Sequence, residues 1–216
     1  MADITKINGV AITSFAKLDG LAVANIAKVD GIDFVTTPEL ELIDNDFAME
    51  FNGTDEYISL GDNFNSVFTG TDWSLSTWIY VSANDSYDCF FSKGTPVQFY
   101  VHDDKVKIWL GHPGGSYLGN MQPLESATAL SLDTWYHVAF TRTGNDNVLY
   151  INGSSDATCT SSGSVTTSTI KARIGAYNPS PLYPFEGDID EVAIWSRKLD
   201  ATEVETIYDS TNDNPG

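Results

Sequence analysis

Apolar residues recurring at every second position, segment after segment, constrain this chain more than any other feature. Phe47, Met49 and Phe51 alternate in this way. So do Trp73, Leu75, Thr77, Ile79 and Val81, then Val138 and Phe140, Val148 and Tyr150, and Ile170, Ala172 and Ile174. A period of two puts successive side chains on opposite faces of a strand, so each segment predicts a strand with one buried face. Between the segments stand Asn52-Gly53-Thr54, Asp103-Asp104, Gly144-Asn145-Asp146 and Asn152-Gly153. Such residues tolerate the positive φ that tight hairpin turns require. Many short strands with regular turns predict an all-β antiparallel sandwich or jelly roll over residues 47–216. One short helix is expected near the end, where Asp200 and Glu203 make a capping-box start and Val204 and Ile207 an apolar stripe.

The first thirty-odd residues follow another rule. Lys6-Ile7-Asn8-Gly9-Val10 returns as Lys17-Leu18-Asp19-Gly20-Leu21 and again as Lys28-Val29-Asp30-Gly31-Ile32, a period of 11 residues. That period suits a right-handed coiled coil, but each unit holds Asn-Gly or Asp-Gly, a turn signal that a continuous helix would not repeat. Short strands joined by tight turns are therefore expected. Ile7, Val10, Leu18, Leu21, Val29 and Ile32 are its anchoring positions. Three such units cannot close a core alone. Either residues 1–34 are an assembly segment that packs on sister chains, a homotrimer being expected, or they dock as a strand pair on the parent domain. Residues 35–46, with Pro38 and several acids, read as a linker.

Composition narrows the partners. Thirty acidic side chains face eleven basic ones, a net charge of −19 in 216 residues, with no Lys or Arg between positions 29 and 92. Such a surface repels phosphate, which argues against nucleic acid and anionic membranes. Cys89 and Cys159 are too few for a disulfide framework. Cys89, inside Cys89-Phe90-Phe91, reads as a buried thiol. The N-terminus shows no cationic segment followed by an apolar core, and no stretch approaches the roughly 20 apolar residues of a membrane span. The expectation is synthesis in a cytoplasm without a classical export signal and without membrane insertion.

Longer motifs carry a resemblance. Phe51-Asn52-Gly53-Thr54-Asp55-Glu56-Tyr57-Ile58 and Trp73-Ser74-Leu75-Ser76-Thr77-Trp78-Ile79 resemble the opening strands of laminin-G-like, concanavalin-A-like jelly rolls. Trp135-Tyr136-His137-Val138-Ala139-Phe140 with Leu149-Tyr150-Ile151-Asn152-Gly153 resembles that family's central hairpin. Phe185 to Trp195 resembles its closing strand. The resemblance implies a sandwich that binds glycans or proteins, in many members with a calcium ion at the rim. The N-terminal units resemble the starts of tailed-bacteriophage virion proteins. This implies a non-enzymatic virion structural protein, as capsid decoration, head fibre or tail fibre, held by its repeats to sister chains and other virion proteins. The sandwich would be displayed towards host-surface glycans. A stand-alone, calcium-assisted lectin-like module is the alternative.

Glu186-x-Asp188-x-x-Glu191 resembles the acidic motif of concanavalin-A-like glycoside hydrolases, a third reading. Those enzymes carry it mid-chain, and here only 25 residues follow Glu191. Alternation puts Asp190 on one face with Val192 and Ile194, where a carboxylate needs hydrogen bonds or a cation. Asp55, Asp188 and Asp190 are the candidate calcium ligands. His102, His112 and His137 show no metal-binding spacing, and His137 is expected on a solvated strand face. The segments 84–96, 110–123 and 177–185 read as loops holding Tyr87, Tyr117, Tyr177 and Tyr183 beside Asn84, Asn120 and Asn178. Tyr87, Tyr117, Asn120, Tyr177 and Tyr183 are thus candidates for stacking on and hydrogen bonding to a sugar. Tyrosines that merely cover a sheet edge are the alternative.

Overall fold

The computed structural model describes residues 6–7, 10–11, 28–29, 32–33, 48–62, 64–83, 87–94, 96–112, 116–117, 124–161, 163, 165, 171–177 and 183–211. The chain divides into two units, Met1–Asp44 and Asn45–Gly216.

In the first unit β1 (Lys6–Ile7) pairs antiparallel with β2 (Val10–Ala11), and β3 (Lys28–Val29) with β4 (Ile32–Asp33). Ile7 opposes Val10 and Val29 opposes Ile32, so each pair is joined by two residues, Asn8-Gly9 and Asp30-Gly31. That is the hairpin length these dipeptides favour. The middle repeat with Leu18 and Leu21, and the linker 35–46, lie outside the described residues.

The second unit runs β5 (Met49–Asn52), β6 (Ile58–Gly61), α1 (Asn65–Phe68), β7 (Asp72–Val81), β8 (Asp88–Ser92), β9 (Val97–His102), β10 (Lys105–His112), β11 (Ser116–Tyr117), β12 (Leu124–Glu125), β13 (Trp135–Thr143), β14 (Asp146–Ile151), β15 (Ser154–Thr160), β16 (Ala172–Ile174), β17 (Glu186–Trp195) and α2 (Ala201–Thr211). Two antiparallel sheets form. One has the order β15-β14-β13-β7-β17-β5, and we call it the helix-side sheet. The other, the open-side sheet, runs β11-β10-β9-β8-β16-β6, with β12 also paired to β10. Their inner faces share one core. Trp73 of β7 and Phe140 of β13 meet at 4.9 Å between ring centres, and both meet Phe99 of β9, at 6.4 and 5.6 Å.

The turn chemistry acts where it was read. Asp103 and Asp104, both at positive φ (53° and 60°), join β9 to β10, and Asn152-Gly153 (49° and 75°) join β14 to β15. The capping box is reciprocal: Glu203 N donates to Asp200 Oδ1 and Asp200 N to Glu203 Oε2, both at 2.9 Å. Among the described residues no helix is long and apolar enough to cross a membrane.

Helix α2 lies on the outer face of the helix-side sheet. Leu199 and Val204 are buried against Ala139 and Tyr150, with Trp195, Val148 and Ile207 around them. Each fully buried aliphatic side chain of this kind contributes roughly 1.5–3 kcal/mol. Ser74 of β7 latches the approach to the helix, donating to Arg197 O at 3.0 Å and accepting from Leu199 N at 2.9 Å. At the other end Trp78 Nε1 donates to Thr211 Oγ1 at 2.7 Å.

Three expectations are corrected. His137 is not on a solvated face: it is 1 % exposed, between Trp78 (5.4 Å) and Tyr208 (5.9 Å), because α2 covers the face to which alternation directs it. The segment 84–96 is not one loop. Its centre is β8, buried at every position, as suits an apolar run covered on both faces. Asp190 does not share a face with Ile194, because β17 shifts register between Asp190 and Ala193. Asp190 opposes outward-facing Trp78, whereas Ile194 opposes core-facing Leu75. A bulge of one extra residue inverts alternation beyond it.

Candidate functional site

Period-two alternation along β9 and β10 decides what the open-side sheet presents outward. Val97, Phe99 and Val101 enter the core, as do Val106, Ile108 and Leu110. Gln98, Tyr100 and His102, and opposite them Trp109, Lys107 and Lys105, therefore point away from it. Tyr87, just ahead of β8, lies over this face. Its ring stacks on His102 at 4.0 Å and 17° and meets Tyr100 at 5.3 Å.

The connection between β16 and β17 adds two more rings. Tyr183 meets Tyr87 at 5.1 Å, and Tyr177 meets Tyr183 at 5.9 Å. The backbone pins this arrangement: Cys89 N donates to Tyr183 O at 3.1 Å, Gly175 N to Phe90 O at 3.1 Å, and Phe185 N to Gly175 O at 2.9 Å. Gly175 sits at φ +81°, and a Cβ there would lie 2.2 Å from the Phe51 ring, so only glycine fits this corner. Tyr183 itself holds φ 54°, a conformation rare for a bulky side chain and tolerated where surroundings over-determine it. Tyr87 and Tyr183 remain 40 % and 43 % exposed, while Tyr100 beneath them is buried. The result is an aromatic platform on a rigid support.

Polar groups border it. His102 Nδ1 lies 2.8 Å from Asp103 Oδ2, and Lys107 Nζ lies 3.5 Å from the same oxygen and 3.4 Å from Glu125 Oε2. Arg173 of β16 packs its guanidinium over the Tyr57 ring at 3.9 Å and donates from Nη1 to Tyr177 O at 3.4 Å. The thiol of Cys89 has its pKa pushed up to about 12 by burial, so it is the buried thiol read from sequence.

Of the sequence candidates, then, Tyr87, Tyr177 and Tyr183 converge. Tyr117 belongs to β11, opposite Gly111 at the far side of β10, and its side chain lies outside the described residues, as do Asn84, Asn120 and Asn178. Tyr57, Tyr100, His102 and Arg173 were missed as site residues. For Tyr100 and His102 a signal existed, since they are the polar-face positions between Phe99 and Val101 and after it.

The acidic candidates do not gather. Asp55 accepts from Asn52 Nδ2 at 3.1 Å, in the turn beyond the Asn52–Glu186 end of the β5–β17 ladder. Asp190 lies four residues further along β17, about 13 Å from that end at the rise of a strand. Its Oδ1 accepts from Glu191 N at 2.7 Å. Asp188 stands between Glu50 and Tyr80, its carboxyl held above the usual range by burial and by the Glu50 charge. Among the described residues no three His, Cys, Asp or Glu side chains are placed to hold a metal ion. In the motif Glu186-x-Asp188-x-x-Glu191, Glu186 and Asp188 share the outer face, whereas Glu191 falls in the bulge at φ 52°. Burial, then the Asp190 charge, raises its carboxyl as well.

Two antiparallel sheets closed over a common aromatic core, with an aromatic platform on one outer face, define a concanavalin-A-like jelly roll. The chain belongs to the concanavalin A-like lectin/glucanases superfamily, whose model matches residues 52–205. No curated protein matches the sequence. Among solved structures the chain is similar to domain 4 of a GH43 extracellular arabinanase from Geobacillus stearothermophilus in complex with arabinotriose. Identity is 21 %, coverage 74 % of this chain and 76 % of that one, and the TM-score 0.60. A putative carbohydrate binding protein from Bacteroides ovatus is 18 % identical over 73 % of this chain, with a TM-score of 0.59, and the match spans 45 % of that protein. A heptameric SAP-like pentraxin from Limulus polyphemus is 16 % identical over 77 % of this chain and 83 % of its own, with a TM-score of 0.53. At these identities the likeness is one of fold.

Proposed function

We propose that the sandwich is a non-catalytic glycan-recognition module whose binding surface is the Tyr87–Tyr177–Tyr183 platform with His102. One observation carries the reading: rings from segments about ninety residues apart, two of them over a third exposed, are assembled in mutual tilted contact on one outer face. Sugar rings present C–H faces that pack on such surfaces, and the polar groups alongside fix orientation. The arabinotriose complex of a structural neighbour supports saccharide as the ligand class. Two features support the non-catalytic reading. The acidic motif on β17 lies on the other sheet, and its third carboxylate is displaced by the bulge. Screening the full chain against immobilised glycans tests the proposal. Binding that Tyr183→Ala and Tyr87→Ala each weaken roughly tenfold or more is expected, and binding indifferent to both counts against it.

The N-terminal repeats support a second element: the module is carried as a homotrimer on a phage virion, facing host-surface glycans. Two-residue hairpins as short as β1–β2 and β3–β4 are marginal alone. The apolar positions Ile7, Val10, Leu18, Leu21, Val29 and Ile32 gain most by packing on sister chains or other virion proteins. Light scattering should give a trimer for the full chain and a monomer for a chain beginning at Asp46. Monomers in both cases argue against this element and leave the glycan reading intact.

A further inference from the structure

The cationic side chains described in the second unit mostly have clear partners. Lys107 is held by Asp103 and Glu125, Arg197 by both oxygens of Glu203, and Arg142 by Asn147, Ser161 and Gly163 O. Arg173 differs. It is 9 % exposed and, like Arg142, pairs with no described carboxylate and has an Nε without an acceptor among the described residues. Where Arg142 has three other acceptors, Arg173 meets only Tyr177 O among these residues. A guanidinium taken out of water this far is costly unless an anion or several acceptors meet it.

The geometry restricts what could meet it. Tyr57 covers one face of the guanidinium, and Nη1 is turned towards Tyr177 O. What is left is the edge that carries Nε, one of the parallel donor pairs that a planar carboxylate engages at two points. Nε is sealed from solvent, so reaching that edge requires a side-chain movement, for which Tyr57, itself 41 % exposed, is the candidate. The carbonyl that Nη1 contacts belongs to Tyr177, whose ring continues into Tyr183 and Tyr87. A carboxylate at Arg173 is therefore placed beside a surface suited to a sugar ring. The net charge of −19 opposes anions at long range, but screening confines that field to about 8 Å at physiological salt.

Resting on the glycan reading above, we propose that the ligand is an acidic saccharide of the uronate or sialate class, its carboxylate received by Arg173 and its ring by the tyrosine platform.

The test is calorimetric titration of the full chain with two matched pairs: trigalacturonate against its carboxyl-reduced neutral counterpart, and sialyllactose against lactose. In one pair the acidic member should bind at least about tenfold more tightly, the expected scale for a charged hydrogen-bonded contact. Which pair shows the preference separates a uronate from a sialate. Arg173→Met keeps the stem that packs on Tyr57 and should erase the preference while weak neutral-sugar binding persists. Arg173→Lys, a point charge without the fork, should restore only part of it. Thermal melts of both variants report folding independently. Neutral sugars binding as well as acidic ones, or a preference that survives Arg173→Met, overturns the carboxylate assignment and spares the glycan reading. Binding of no member of either pair overturns the acidic-saccharide assignment, while the glycan reading stands or falls with the immobilised-glycan screen.

Discussion

The two sheets of the sandwich share a core but treat their outer faces in opposite ways. On the helix-side sheet the outward residues Ser74, Trp78, His137, Ala139 and Tyr150 are buried, because α2 and its lead-in lie across them. Over the open-side sheet, by contrast, Tyr87 and Tyr183 stay over a third exposed. Aromatic rings populate both. Under α2 the Trp78–Tyr208 stack, 5.6 Å apart, is sealed and contributes to stability. On the other face the Tyr87–His102 stack, 4.0 Å apart, borders solvent. An outward aromatic thus serves stability where a further element covers it and stays open to contact where it borders solvent.

Changes under the helix should move stability most. Trp78→Ala removes a ring that is 2 % exposed and bonded to Thr211, and should cost about 3–5 kcal/mol in urea unfolding. A loss below about 1 kcal/mol would mean that α2 does not depend on this face.

Acid should act next, through His137. Burial holds its folded imidazole down to about 4, against 6.5 for an unperturbed histidine. Between those values the unfolded chain takes up a proton that the folded chain refuses. Stability is therefore complete above about 6.5 and falls as pH drops towards 4, by up to about 3 kcal/mol. His137→Phe should flatten that part of the pH–stability curve, and a curve unchanged by the substitution would exclude the assignment.

A smaller effect is expected at the helix start. Asp200→Ala removes one half of the capping box and should cost about 1 kcal/mol, read as a shift in the denaturant midpoint at constant slope.

The open face should respond least in stability and most in binding. Tyr87→Ala and Tyr183→Ala should each change unfolding free energy by less than about 1 kcal/mol. Each should weaken glycan binding by roughly tenfold or more. If either instead destabilises as much as Trp78→Ala, the tyrosines are a structural cover and the contrast between the faces dissolves.

Much of this was legible in the sequence because it is local. Asp103-Asp104 and Asn152-Gly153 make turns through their own tolerance of positive φ, and Asp200 and Glu203 cap a helix three residues apart. Alternation in Trp73, Leu75, Ile79 and Val81 reports the face that enters the core, and the motifs from Phe51 to Trp195 report the sandwich. Alternation does not report what covers the opposite face. His137 reads as solvated because nothing near it in the chain discloses that Tyr208 will lie over it. The bulge in β17 is equally silent, as its cause lies in the register with β7 rather than in the letters around Glu191. For the site, Tyr87, Tyr177 and Tyr183 could be named as loop tyrosines, but their meeting, and Arg173 beside them, could not. The sequence by itself determined the strands, the turns and the sandwich, since these follow from backbone preferences and a period-two pattern within a few residues. Only the tertiary structure decided which outward face is sealed and which rings converge, since both depend on contacts between segments about seventy to a hundred and thirty residues apart.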